Sequence, residues 1–259
     1  MSGGKAKLKA FKMHENLYFI GSEAVSVHLL DTEEGLVLID SGYPSMYGLI
    51  VSNIRALGFS PENIRAIIHS HGHIDHYGTT RELVALSGAK TYISAIDNEI
   101  VNGTFDLSWA RELNMERIPP FNCDVLLSDG DVLDFGKTSI RCVHTPGHTD
   151  GVMSFIITLP DGTVAAMHGG IGTNTLRSAF LLEYGLPFTS RDDLIASCEK
   201  LKGERVDLVI GNHPEQADTV EKMQKKENGE EILDKEEWGR LLSFVISWVG
   251  DLEKTDPRK

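Results

Sequence analysis

Residues 64–80 read I-R-A-I-I-H-S-H-G-H-I-D-H-Y-G-T-T, an apolar run followed at once by four histidines and one aspartate. A buried strand that runs out into imidazoles and a carboxylate is typical of a metal site. Side chains two apart in an extended segment project to the same side, so His71 and His73 can converge on one ion. Asp75 and His76 are adjacent and are left to serve a second ion. These donors suit zinc or iron better than calcium or magnesium, which prefer oxygen ligands.

Two later stretches repeat the pattern of an apolar strand that ends in histidine. Residues 144–151 read H-T-P-G-H-T-D-G, where a tight Pro-Gly turn presents His144 and His148. His213 follows a third apolar run, in G-N-H-P. A lone histidine is usually structural, but a third strand-end histidine in one chain is not independent of the other two. The alternative to a metal site is a histidine-rich surface loop.

The motifs H-G-H-I-D-H, T-P-G-H-T and N-H-P resemble those of the metallo-β-lactamase superfamily and come in the same order. The chain looks most like the third subclass of the class B enzymes, because Gly169-Gly170 stands where other relatives carry a bridging aspartate. The resemblance implies an α/β fold, a four-layer αββα sandwich with the metals at the edge between two sheets. It implies one domain over residues 1–259, in which residues 1–10 form a loose start.

By the same resemblance, two Zn²⁺ ions are expected, with iron or manganese as alternatives. The first zinc would take His71, His73 and His148, and the second would take Asp75, His76 and His213. His144 has no counterpart in the motif and is expected to be a hydrogen-bonded loop histidine. Asp75 is also the candidate catalytic residue, because it can orient a metal-bound hydroxide as well as ligate.

The resemblance therefore predicts a zinc-dependent hydrolase that uses a metal-bound hydroxide against a cyclic amide or ester, with β-lactams among the candidates. A metabolic thioester or lactone hydrolase is the first alternative. An iron-bound redox or binding protein is the remote one, since di-iron relatives use Glu where His73 stands. The mechanism is more firmly implied than the substrate.

The glycines after the third apolar strand weaken the β-lactam assignment. Relatives that hydrolyse β-lactams hold the drug's carboxylate with a hydroxyl near this point, where the chain has Gly170 and Gly172. Thr173 is the nearest hydroxyl and is the candidate substrate-binding residue. Serine at both glycines would raise kcat/KM for a penicillin by about one to two decades if only that hydroxyl is missing. The alternative is that both glycines serve a backbone with positive φ.

Composition excludes some partners and favours a compartment. There are 25 Lys and Arg against 38 Asp and Glu, a formal charge of −13, which argues against nucleic acid and anionic membranes. The chain has no run of 18 apolar residues, and its start lacks the apolar core of a signal peptide. Three cysteines without C-x-x-C spacing fit a reducing compartment. We expect a cytoplasmic protein with a small-molecule substrate, unless a leader was removed, and the oligomeric state is left open.

Strand and helix signals alternate along the chain and predict a partly parallel sheet covered by helices. Residues 14–21 are interpreted as a native strand. Asp40 ends a predicted strand and either hydrogen-bonds a ligand histidine or caps a turn. Residues 105–122 show no clean period and contain Pro119-Pro120. This long stretch is either a substrate-facing flap or a surface connection.

Overall fold

A computed structural model describes residues 8–258 of the chain. The strands are β1 (Phe11–His14), β2 (Leu17–Phe19), β3 (His28–Thr32), β4 (Gly35–Ile39), β5 (Ile64–Ile68), β6 (Lys90–Ser94), β7 (Val125–Leu127), β8 (Val132–Phe135), β9 (Thr138–His144), β10 (Met153–Thr158), β11 (Val164–Met167) and β12 (Leu208–Val209). The α-helices are α1 (Tyr47–Ala56), α2 (Ile74–Tyr77), α3 (Thr80–Ser87), α4 (Ala95–Val101), α5 (Ser178–Tyr184), α6 (Ser190–Leu201), α7 (Thr219–Glu227) and α8 (Glu237–Thr255).

The strands form two sheets. The first runs from β1 to β7 in chain order, with antiparallel pairing from β1 to β4 and parallel pairing from β4 to β7. The second has the order β12-β11-β10-β9-β8, and only its β11–β12 pair is parallel. Strands β4, β5, β11 and β12 therefore each end in the same direction as their parallel neighbour.

Three apolar cores separate four layers. The central core joins the facing sides of the two sheets. A second core lies between the first sheet and helices α1 and α3, and a third lies between the second sheet and helices α6 and α8. The order helix, sheet, sheet, helix is the predicted αββα sandwich, which is confirmed.

Strand β4 shows why the first sheet is covered on both sides. Val37 and Ile39 point into the central core, whereas Leu36 and Leu38 point toward the helices. Successive side chains of a strand alternate between faces, so a continuous apolar run fits only a sheet that is buried on both. Burying each of these side chains contributes about 1.5–3 kcal/mol relative to leaving it exposed.

Some local predictions need correction. Residues 14–21 do not form one strand: β1 and β2 make a tight antiparallel hairpin that turns at Glu15, whose φ is 43°. Helix α5 was not expected from sequence, because it is only seven residues long and Leu182 on it is 62% exposed. Of the predicted loose start, residues 1–7 lie outside the described residues, and Leu8 is buried in the central core.

Residues 105–122 contain turns and irregular backbone but neither helix nor strand. Ala110 is buried with Ile74 and Tyr77 of helix α2, so this segment packs against the element that follows the histidine cluster. Among the helices of residues 8–258, none combines the length and the apolar character needed to cross a bilayer.

Candidate metal centre

The strand-end histidines meet at one edge of the sandwich. Strand β5 ends at Ile68 and leads into the H-G-H-I-D-H stretch, whose last residues open helix α2. The loop after β9 carries His148, and the segment after β12 carries His213. The structure thus brings all six predicted ligands to one place, in the two groups implied by the sequence.

The first group consists of three imidazoles. The Nε2 atom of His71 and the Nδ1 atom of His73 are 3.1 Å apart. The ring of His148 lies 4.8 Å from that of His71 and 4.6 Å from that of His73, between ring centroids. One ligand atom from each residue lies within 4.8 Å of the others, which is a spacing that one ion can span.

The second group consists of one carboxylate and two imidazoles. The Asp75 Oδ2 atom lies 3.4 Å from His76 Nε2 and 3.6 Å from His213 Nε2. The ring centroids of His71 and His76 are 4.2 Å apart, so the two groups are neighbours. A pair of ions could therefore be held side by side.

Hydrogen bonds fix which nitrogen points inward in four of the five candidate ligand histidines. A histidine that donates its outer N–H keeps the lone pair of the other nitrogen free for a metal. Three of these histidines donate from Nδ1 to a backbone carbonyl oxygen: His71 to Gly169 at 2.8 Å, His148 to Gly172 at 2.7 Å and His213 to Ala24 at 2.8 Å. The fourth, His76, donates from Nδ1 to the carboxylate of Asp40 at 2.9 Å. In all four, Nε2 is the nitrogen left for an ion.

The second group also has the charge balance of a cation site. Burial alone lowers the pKa of His76, but Asp75 and Asp40 outweigh it and raise the pKa to about 10. Burial works to raise the pKa of Asp75, yet His76 and the other histidines hold it well below its usual range. Among residues 8–258, His76 Nε2 and Asp75 Oδ1 are buried without a hydrogen-bond partner. A metal ion at this point would satisfy both atoms, so the residues fit the group that the fold family implies.

The first group is ready to bind metal at neutral pH. Burial, and then the neighbouring imidazoles, lower the pKa of His71 and His73 well below the ordinary value. Burial lowers the pKa of His148 to about 4. Neutral imidazoles are the form that binds metal, and three of them suit zinc.

Asp40 plays both of the roles considered from the sequence. Its Oδ2 accepts a hydrogen bond from the Nδ1–H of His76 and another from the Ser70 hydroxyl at 2.8 Å. Its Oδ1 accepts the backbone N–H of Ser70 at 2.8 Å. Asp40 has a φ of 60°, a conformation that non-glycine residues rarely adopt and that is found at functional sites. The carboxylate therefore orients a candidate ligand and fixes the start of the ligand loop.

The histidines outside the two groups have other partners. His69 is buried and contacts the His76 carbonyl through Nδ1, 3.3 Å away. His144 donates to the Asp150 carbonyl at 2.7 Å, so it is hydrogen-bonded as expected, but it is the last residue of β9 rather than a loop residue. His168 is buried next to Cys198, and burial lowers its pKa to about 3.

Asp97, which no motif singled out, joins the loops that carry the first group. Its Oδ2 accepts the backbone N–H of Gly72 at 2.7 Å and the hydroxyl of Thr149 at 2.6 Å. Its Oδ1 accepts the N–H of Gly151 at 2.9 Å. Gly72 lies between the first two ligands, and Thr149 follows the third. Burial raises the pKa of Asp97 to about 6.

The sequence signal around Asp97 is local and conceals this role. Ser94 caps helix α4 by accepting the N–H of Asp97, so S-A-I-D is typical of an ordinary helix start. Only the fold shows that the carboxylate reaches two distant loops. A Cβ on Gly151 would lie 2.3 Å from Asp97 Oδ1, so glycine is needed there for the close approach.

Asp97→Asn should weaken metal binding by the first group by about 10–100-fold, the usual cost of losing an outer support. All three partners donate to the carboxylate, and an amide nitrogen cannot accept from them, so one buried donor loses its partner. Zinc titration against a competing chelator measures the change. Asp106→Asn is the matched control, because Asp106 is an exposed aspartate that pairs with Arg117 and supports neither ligand loop. Equal zinc affinities for Asp97→Asn and the unmodified protein would contradict the assigned role.

The candidate substrate-binding residue lies in a cleft beside both groups. This main cleft has a volume of about 620 Å³, and Thr173 lies in its wall. Its aromatic walls include Trp109, Phe244 and Trp248. Among the described residues, neither Lys nor Arg lines the main cleft. Thr173 itself is buried, and its role in substrate binding remains a prediction.

Gly170 and Gly172 lie against the ring of His148. A Cβ on Gly170 would lie 2.8 Å from His148 Cδ2, and one on Gly172 would lie 3.0 Å from Cε1. Neither glycine has a positive φ, so the explanation from left-handed backbone is wrong. Both are small because the ring of His148, a candidate ligand, occupies the adjacent space. Serine there is expected to displace that ligand rather than to hold a drug's carboxylate.

Comparisons with known proteins give the same picture. The family model described as "Metallo-beta-lactamase superfamily" matches residues 20–213. The metallo-β-lactamase of Cronobacter sakazakii is similar over 98% of each chain, with 26% identity and a TM-score of 0.84. BJP-1, a subclass B3 metallo-β-lactamase of Bradyrhizobium japonicum, has 26% identity and a TM-score of 0.84 over 98% of this chain and 96% of its own.

One of the curated relatives is described as a lactonase. An N-acyl homoserine lactonase of a Bacillus species is 28% identical over 153 residues, which are 50% of this chain and 56% of the lactonase. The chain spans about half the length of the curated relatives it matches, from 40% to 66% of each. Only part of the chain matches the curated relatives, whereas the solved structures match it over 98% of its length.

Proposed function

The chain belongs to the metallo-β-lactamase superfamily, and on that premise we propose that it is a metal-dependent hydrolase of cyclic esters or amides. The observation that supports this most strongly is the pair of adjacent ligand groups with their free nitrogens turned inward. Zinc is the metal best suited to three imidazoles, with iron or manganese as alternatives.

Two zinc ions, when bound, would supply an activated water and a Lewis acid for the scissile carbonyl. The protein's own residues hold and orient the reacting groups. Asp75 is the proposed catalytic residue: one oxygen of its carboxylate would serve the metal, and the other can accept a hydrogen bond from the attacking water and so orient it. Asp40 keeps the imidazole of His76 in one tautomer. Thr173, in the cleft wall, is the residue proposed to donate a hydrogen bond to the substrate.

Cyclic esters are favoured over β-lactams as substrates. A β-lactam carries a carboxylate that must be held while its ring is opened. Among residues 8–258, the main cleft has no Lys or Arg in its lining, and Gly170 and Gly172 offer no hydroxyl. A hydrogen bond to a charged group contributes roughly 1.5–3 kcal/mol. Besides the metal-facing histidines, the described lining offers only neutral donors, among them Thr173, Tyr43, Asn174 and Gln216, and no lysine or arginine to pair with the carboxylate. A thioester hydrolase of ordinary metabolism is the second candidate, since a thioester also needs no carboxylate clamp.

The experiment that tests this is a zinc-loaded assay on a lactone, a penicillin and a thioester, combined with elemental analysis. We expect kcat/KM for the lactone to exceed that for the penicillin by about one to two decades, the value of one such hydrogen bond. Chelator-treated protein should be inactive and should recover when zinc is restored. Faster turnover of penicillin would contradict the ester preference. Bound iron without hydrolysis of any substrate would contradict the hydrolase and favour a redox or binding protein.

The expected cellular setting is part of the same proposal. Cys123, Cys142 and Cys198 are all free and buried, which agrees with a reducing compartment such as the cytoplasm. A small molecule is the proposed partner, and the charge of −13 disfavours nucleic acid.

A further inference from the structure

A second cavity meets the centre on the other side of His73 and His148. This side chamber has a volume of about 410 Å³, in the range of pockets that hold small ligands. Its walls are largely apolar and include Ile96, Ile100, Phe105, Leu107, Phe180 and Leu181. The proposed hydrolysis uses only the main cleft, so the side chamber needs a separate explanation.

Trp109 stands between the side chamber and the main cleft. Its ring lies 5.7 Å from the ring of His73 and 5.0 Å from that of Phe180, between centroids. Trp109 lines the cleft, whereas Phe180 lines the side chamber. The φ of Trp109 is 64°, a left-handed conformation that persists in a non-glycine residue only when its surroundings hold it. The partition is therefore a built feature of the site.

The walls of the side chamber are tied together. Arg111, two residues after the partition, makes an ion pair with Glu183 of helix α5 at 2.7 Å and lies over the ring of Tyr184 at 4.8 Å. The Tyr184 hydroxyl also donates to Glu112. Exposed ion pairs contribute little stability one by one, but here several contacts fix the irregular segment against one helix. The side chamber is thus preformed.

The charges around the side chamber select against anions. Among the described residues, neither Lys nor Arg lines it, whereas Asp106 and Asp150 do. Both aspartates are exposed; Asp106 is paired with Arg117, whereas Asp150 makes no ion pair among residues 8–258 and is the negative charge at the entrance. An anionic group would meet like charge there and would lose its hydration against apolar walls.

We propose that the side chamber binds an uncharged apolar arm of the substrate, an alkyl or aryl group attached to the ring that is opened at the metal centre. This rests on the proposed function and names the class of cyclic ester or amide. His73 and His148 line both cavities. A substrate whose ring lies at the metal centre can therefore extend one substituent into the main cleft and another into the side chamber. The arm contributes binding by burying apolar surface.

The test is a series of γ-lactones with linear arms from methyl to heptyl, assayed on zinc-loaded protein. We expect kcat/KM to rise about fourfold for each added methylene until the side chamber is full, the ratio equivalent to about 0.8 kcal/mol. A carboxylate at the end of the arm should abolish the rise. Ile96→Trp, at a 47% exposed position in the wall, should end the rise at a shorter arm.

Leu182→Trp is the matched control, because Leu182 is 62% exposed and lines neither cavity. The inference would be overturned if kcat/KM for the lactones did not depend on arm length, or if its dependence on arm length were the same in Ile96→Trp as in the control. Either result would leave the proposed hydrolase function intact. Absence of hydrolysis of every lactone and lactam would overturn the proposed function instead. In that case, binding of the neutral fluorophore N-phenyl-1-naphthylamine decides: about tenfold weaker binding by Ile96→Trp is expected, and equal binding refutes the side chamber's role.

Discussion

His148→Ala is expected to lower kcat/KM for lactone hydrolysis by about three decades or more. The first group has only three imidazoles, and the other two come from one short loop, so His148 is the ligand that closes the group from the other sheet. Without it, an ion would be held by two neighbouring side chains. A bound metal contributes several kcal/mol of transition-state stabilisation, and about 4 kcal/mol corresponds to three decades in rate.

His144→Ala provides the matched control for that experiment. His144 is the last residue of β9, four residues before His148, but its ring donates to the Asp150 carbonyl and belongs to neither group. The control should retain its zinc and most of its activity, whereas His148→Ala should lose about one zinc ion per chain. Circular dichroism and elemental analysis on the same samples separate loss of metal from loss of fold. If His148→Ala keeps both its zinc and its activity, the first group is wrongly assigned.

The second large effect is expected from His213→Ala. Its side chain is 26% exposed, whereas those of Asp75 and His76 are buried, so His213 is the outermost member of the second group. Its removal should lower the affinity for the second ion by about two decades or more and leave the first ion bound. The first group should persist because its hydrogen-bond supports, at Gly169 and Gly172, are independent of His213.

Titration of zinc into metal-free protein, followed by competition with a chelator, distinguishes one binding step from two. His144→Ala serves as the control here too, since the His144 ring donates to the Asp150 carbonyl and belongs to neither group. The variant should show one tight step where the unmodified protein and the control show two. Simultaneous loss of both ions from folded His213→Ala would mean that the groups act as one unit.

The metal centre was accessible from sequence because its signals are local. In an extended segment that follows a strand, histidines two apart project to the same side, so the sequence alone predicts that they can share an ion. Strands β4 and β5 are parallel and end side by side, which brings Asp40 next to that stretch. The four-layer order followed from the resemblance and from apolar runs that fit only doubly covered sheets. Family membership and fold are confirmed, whereas the role of each ligand stays a prediction that the described geometry supports.

The side chamber and the Asp97 support could not be predicted in this way. Each depends on segments that are far apart in the chain: residues 105–112 with helix α5, and helix α4 with two ligand loops. Helix α5 is short, and Trp109 lies in a stretch without period, so neither leaves a regular pattern. Likewise, the crowding of Gly170 and Gly172 by His148 depends on a contact that spans some twenty residues of loop and strand.

Backbone atoms hold most of the ligand histidines in place, and this bears on how the protein can change over evolutionary time. The acceptors for His71, His148 and His213 are the carbonyls of Gly169, Gly172 and Ala24, which no side-chain substitution deletes. Substitutions in the cavity walls can therefore change which cyclic substrates bind, while the positions of these candidate ligand histidines stay the same. Selection for new substrates should accumulate changes around Trp109 and helix α5.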